Sequence, residues 1–267
     1  MLKKLIKYDL IWINKILIFF YAIALFFAII GRLLSLIENS IFFDILSKVC
    51  NGITTAFVIN AIVNGIIRSW VRFANNCYKD ESYLTHTLPI SKTQIYFSKV
   101  LSSIITIAIA GVFAVGSLAI CYAGPELVKL IRQVFNFAEA QNIKISLILF
   151  LIVALLIVEL ITMISVGFIG IIIGNRYNNK KFLKSVIAGF SCYMGITFIF
   201  LIVILIASIF NDNLKIFIFD SNNLASLSIT SQFVVNILIV FIILYILAIL
   251  LTNYFANKLF NKGVNID

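Results

Sequence analysis

Proline occurs only twice and histidine once in 267 residues, and Asp, Glu, Lys and Arg together make up just 12% of the chain. With His86 alone, no H-E-x-x-H zinc site and no Ser-His pair can be assembled, which removes the usual routes to general-base chemistry. The four cysteines, Cys50, Cys77, Cys121 and Cys192, form no C-x-x-C pair and read as lone thiols rather than metal ligands. No G-x-x-x-x-G-K-[ST] run occurs, so the backbone cradle and lysine that hold nucleotide phosphates are missing. No filter-like loop repeats, as a channel would require. Glycine, at 12 residues, is also sparse.

Hydrophobic residues, by contrast, make up 62% of the sequence, against roughly half in a soluble domain. A chain this poor in charge cannot cover itself with a polar shell, so the bilayer is its expected solvent. Six apolar blocks reach the roughly 20 residues a spanning helix needs: Ile16 to Ile37, Ile45 to Ile67, Ser98 to Ala123, Ile145 to Ile173, Phe182 to Phe210 and Phe233 to Phe255. They are far too long for barrel strands. The expected class is therefore an all-α integral membrane protein, one multi-pass domain over residues 1–267. Its first span is kept as an anchor, because no small-residue cleavage pattern closes it.

Most of the 21 basic residues cluster on one side of this plan: Lys3, Lys4, Lys7 and Lys15 at the start, Arg68 to Lys99 between spans two and three, Arg176 to Lys184 between four and five, and Lys258 and Lys262 at the end. Positive loops stay cytoplasmic, so both termini are expected inside a plasma membrane. The net charge of +10 then lies in short loops beside lipid, which argues against a nucleic-acid partner. Before the first span, Leu2, Leu5, Ile6 and Asp9 beside Lys3, Lys4 and Lys7 suit an interfacial helix that elbows into the membrane near Lys15. On the outer side, Leu127, Leu130, Ile131, Val134, Phe135 and Ala138 recur at helical spacing after Pro125, which predicts a short external amphipathic helix.

Within the membrane, Glu159 sits mid-block, where a charge costs about 3 kcal/mol on insertion scales. It is expected to be neutralised, paired or facing water, either lining a pathway or bonded to a neighbouring helix. Gly52, Ala56, Asn60 and Asn64 fall every four residues along one face of the second block, a pattern that favours helix packing over substrate contact. Gly170 and Gly174 carry the same packing expectation.

The connection from Arg68 to Phe97 is too long for a simple turn. Its first residues can continue the second helix out of the bilayer, Tyr83 and Leu84 stand beside Asp80 and Glu81, Pro89 fixes a break, and Ser91 is placed to cap a new helix. The stretch from Lys79 to Ser103, KDESYLTHTLPISKTQIYFSKVLSS, resembles the first cytoplasmic loop of type-2 ABC exporter permeases, above all bacterial ones. There an acidic residue, an aromatic, a leucine and a Leu-Pro-[Ile/Val]-Ser run precede a lysine-flanked third span. The matching positions are Asp80, Tyr83, Leu84, Leu88, Pro89, Ile90, Ser91 and Lys99; the motif covers about a tenth of the chain, and the six-span plan is similar along its whole length.

The resemblance implies a cytoplasmic coupling helix between spans two and three, with Asp80, Glu81, Tyr83, Leu84, Leu88 and Pro89 as the residues that dock an ABC ATPase subunit. It also implies ATP and Mg on that partner, none on this chain, and a second permease subunit in a homodimer or heterodimer. The function so implied is the membrane half of an exporter, without enzymatic activity of its own. A membrane immunity or sensor protein that binds an antimicrobial peptide has the same hydrophobic plan and is the competing expectation.

Overall fold

The computed structural model describes residues 2–37, 40–79, 81–122, 124–140, 143–210 and 231–263, and these are helical apart from short connections. The order is α1 (Leu2–Leu34), α2 (Ile41–Tyr78), α3 (Ser82–His86), α4 (Lys92–Tyr122), α5 (Pro125–Ala140), α6 (Ile145–Gly174), α7 (Lys181–Phe210) and α8 (Ser231–Asn261). Six of them, α1, α2, α4, α6, α7 and α8, are long and apolar enough to cross a membrane, the mark of a multi-pass membrane protein. These six correspond one to one with the six apolar blocks. The helices extend past the blocks because polar residues at either end continue the same backbone, and at 1.5 Å per residue α1 and α2 reach about 50 and 57 Å, well beyond a 30 Å hydrocarbon layer.

The chain divides into two compact units, one of Met1–Arg132 with Asn257–Asp267, the other of Gln133–Ala256. In the first, α1, α2 and α4 pack against one another. The buried stripe of α1 runs Asp9, Ile13, Leu17, Tyr21, Ala24, Ala28, Gly31, steps of three and four that keep one face turned inward. On α2 it runs through Ser47, Cys50, Thr54, Val58, Ala61, Gly65, Ser69, Arg72 and Asn76. Ile13, Leu17, Tyr21, Ala61 and Ala110 form one apolar core, with Tyr21 stacked on Phe113 at 4.5 Å between centroids. Thr54, Ser69 and Thr106 are buried in the same unit with their hydroxyls returned to the carbonyls of Cys50, Gly65 and Ser102, so each polar group is satisfied without a partner helix. At one end Ser47 Oγ donates across to the Gly31 carbonyl at 2.9 Å.

α1 corrects the expectation of an elbow at Lys15, for it is one unbroken helix from Leu2 to Leu34. No proline or glycine occurs before Gly31 to break it. Of the segment expected to lie on the headgroups, Leu2 and the lysines are exposed and Leu5 and Ile6 half-buried, but Asp9 is enclosed at 1% exposure.

In the second unit, α6 and α7 approach closely. A Cβ on Gly170 would lie 2.7 Å from the Gly189 backbone, and one on Gly174 would overlap Ser185. Only hydrogen at these two positions lets the backbones meet, which is how helices gain dispersion energy in lipid, where no hydrophobic force pushes them together. Asn253 of α8 donates to Ser165 Oγ of α6 at 2.9 Å, and Phe200 and Tyr245 meet edge to face at 4.8 Å.

Candidate functional site

The lower half of α2 is apolar on one side only, and its extension beyond Ile67 carries Arg68 and Arg72 on or beside the buried stripe. A guanidinium can be buried there only if its donors are used. Arg68 donates from Nε to the Ile13 carbonyl and from Nη2 to the Trp12 carbonyl, both at 3.1 Å, and its charge lies 4.5 Å from the centre of the Trp12 ring. Arg72 reaches in two directions: Nε donates to Asp9 Oδ1 at 2.8 Å, and Nη1 to Glu81 Oε2 at 2.6 Å.

Asp9 is the centre of the arrangement. Lys99 Nζ lies 2.8 Å from each of its carboxylate oxygens, and both side chains are almost wholly enclosed, at 1% and 2% exposure. Two carboxylates, Asp9 and Glu81, thus face two cations, Arg72 and Lys99, so the cluster is formally neutral and its buried charges are all paired. Such a cluster contributes little net stability against an apolar core but fixes one register, because any slip strands a charge. It binds α1, α2 and α4 to the residue immediately before α3.

α3 is seated by the same contacts. Glu81 also accepts from Asn76 Nδ2 at 2.8 Å, Ser82 and Thr85 face inward and are buried, and His86 Nε2 lies 3.2 Å from the Cys77 carbonyl. Beneath it Phe73, Tyr78, Tyr96 and His86 surround Phe260 of the last turn of α8, with ring centres 6.0 to 6.3 Å away. Asn261 Nδ2 donates to Thr93 Oγ1 at 3.0 Å, so α8 closes onto the start of α4. That start is capped by Ser91, whose Oγ accepts the Gln94 N–H at 3.3 Å.

The outward side of α3 is the reverse. Tyr83 is 61% and Leu84 74% exposed, and Leu88 just beyond it is also exposed, with Pro89 at the surface after it. The structure therefore brings Glu81, Tyr83, Leu84, Leu88 and Pro89 to one short segment, with Glu81 turned toward the charged cluster and the apolar residues away from it. Asp80 lies outside the described residues.

The other sequence-derived residues sit elsewhere. Asn60 is exposed and its Nδ2 returns to the Ala56 carbonyl at 3.0 Å, while half-buried Asn64 returns to Asn60 at 2.9 Å. Nothing lies within 4 Å of a Cβ on Gly52. Within the first unit the buried stripe of α2 runs along a different face, through Thr54, Val58, Ala61 and Gly65. Glu159 is half-buried on α6 and shares its neighbourhood with Tyr245 and Tyr193; it is not part of the charged cluster.

Sequence reasoning assigned no joint role to Asp9, Arg72 and Lys99. The signal was present: Asp9 falls on the same three-and-four spacing as Ile13, Leu17 and Tyr21, and a charge on an apolar stripe demands a partner. Among the described residues no group of three or more His, Cys, Asp or Glu is placed to hold a metal ion. No protein-family model, curated protein or solved structure matches this chain.

Proposed function

We propose that the chain is the membrane-spanning subunit of an ATP-driven ABC exporter, in which a separate ATPase docks on α3 and works the spans through it. The observation that carries the reading is the two-sided character of this short helix. Its outer side offers Tyr83, Leu84 and Leu88 to a partner, and its inner side is tied through Glu81, Arg72 and Asp9 to Lys99, hence to three spanning helices.

A motor outside the lipid moves a membrane helix only through a rigid contact, and a shift imposed on α3 must either carry α1, α2 and α4 along or break the Arg72–Glu81 pair and unseat the buried Ser82 and Thr85. The second alternative is the costlier. In this reading the end of the first unit that holds α3 faces the cytoplasm, ATP and Mg belong to the partner, and two permease subunits form the translocation path.

The test is co-expression with a candidate ABC ATPase subunit. Tyr83→Asp and Leu84→Asp, each on an exposed side chain, are expected to leave the elution profile in detergent unchanged while abolishing recovery of the ATPase. Complex formation equal to that of the parent chain contradicts the docking role.

A further inference from the structure

α5 poses a different problem from α3. Its sixteen residues, Pro125–Ala140, place Leu127, Leu130, Ile131, Val134 and Phe137 within one half of the helix circumference, and Lys129, Arg132, Gln133 and Asn136 within the other. These five side chains are exposed, from 38% at Leu127 to 65% at Phe137, while Phe135 beside them is half-buried and Ala138 buried. The division between the two compact units falls inside this helix, after Arg132.

We infer that α5 lies in the plane of the bilayer surface, with its apolar half sunk to the boundary between headgroups and acyl chains. Three observations select lipid as the occupant of that face. The first is tethering: only residues 123–124 separate α5 from the spanning helix α4, and only residues 141–144 separate it from the spanning helix α6. Four residues reach at most about 14 Å fully extended, so neither end can leave the membrane surface. The second is position, for Arg32, which closes α1 at the end opposite Asp9, lies 3.6 Å from where a Cβ on Gly124 would be. The helix therefore starts at the far end of α1 from the charged cluster.

Continuity is the third observation. Val115 and Ile120 near the end of α4, and Leu147 and Phe150 near the start of α6, are exposed apolar residues of the spanning helices that flank α5 in the chain, so apolar surface runs up to each end of α5 along the sequence. Its charges nearly cancel, Glu126 and Glu139 against Lys129 and Arg132. Binding thus rests on buried apolar area rather than on attraction to anionic lipid.

The experiment uses the unmodified chain in vesicles containing a lipid that carries a carbene-generating photoprobe in its acyl chain near the headgroup, with adducts located by mass spectrometry. Labelling of Leu130, Ile131, Val134 and Phe137 at a yield comparable with Phe150, and several-fold above that of Lys129, Gln133 and Asn136, is the expected result. The pattern is expected to be the same in pure phosphatidylcholine and in phosphatidylcholine with phosphatidylglycerol. Absence of adducts throughout α5 would mean that water, another segment or a second copy of the chain covers the face, and overturns the inference. Equal labelling on all sides, or labelling only with the anionic lipid, overturns it as well.

Discussion

The two units of this chain hold their helices together by different means. In the first, α1, α2 and α4 converge on a closed set of ion pairs around Asp9 and on aromatic rings around Phe260. In the second, α6 and α7 converge on glycine backbones at Gly170, Gly174 and Gly189, and Glu159 is the only carboxylate in α6, α7 and α8. The difference lies in the side chains each unit brings together: α1, α2 and α4 place opposite charges where they can be sealed against one another, whereas α6 and α7 offer glycine backbones and gain from close contact. Where a charged cluster fixes register, an outside partner has something rigid to pull on.

The comparison breaks most visibly at Asp9. Asp9→Ala strands the Lys99 ammonium and half of the Arg72 fork, and the expected loss is about 3–5 kcal/mol, the cost of removing one partner from a buried charged network. Thermal unfolding in detergent, followed by the recovery of monodisperse protein, is expected to show a large drop in midpoint. A small effect would mean that the charges are solvated and the cluster is no anchor.

Gly174→Ala tests the second unit. The added methyl overlaps Ser185, so α6 and α7 must separate, at an expected cost of about 1–3 kcal/mol. The same thermal measurement reports it. Were this the larger of the two effects, close packing rather than charge would be the stronger fastening in the molecule. The smallest change is expected at Asn60→Ala, which removes only a bond to its own helix on an exposed face and falls within about 0.5 kcal/mol.

The six spanning helices were legible in the sequence because hydrophobic length alone specifies them, and Ser91 was legible because a cap needs only a short polar side chain at a helix start. The unbroken α1 was not: its basic, mixed first turns read as an interfacial segment, and only the burial of Asp9 against α2 and α4 shows what holds those turns to the helix. Tyr83 and Leu84 were singled out by their apolar character in a charged loop, and both are exposed. Arg72 and Lys99 were assigned to the count of positive flanking charges, and such a count hides their pairing. Contacts over 63 and 90 residues carry no local sequence signature. The face of Gly52, Ala56, Asn60 and Asn64 shows the converse, a regular small-residue pattern that lies off the buried stripe of α2 in the first unit.

Leu84 offers the most direct measurement of the exporter reading. A Leu84→Cys variant in a background without the four native cysteines, in sealed vesicles of both orientations, can be treated with a membrane-impermeant maleimide with and without the co-expressed ATPase. The account predicts reaction only in inverted vesicles, where the cytoplasmic face is outside, and protection once the ATPase is bound. Reaction from the opposite face, or labelling that the ATPase leaves unchanged, would contradict it.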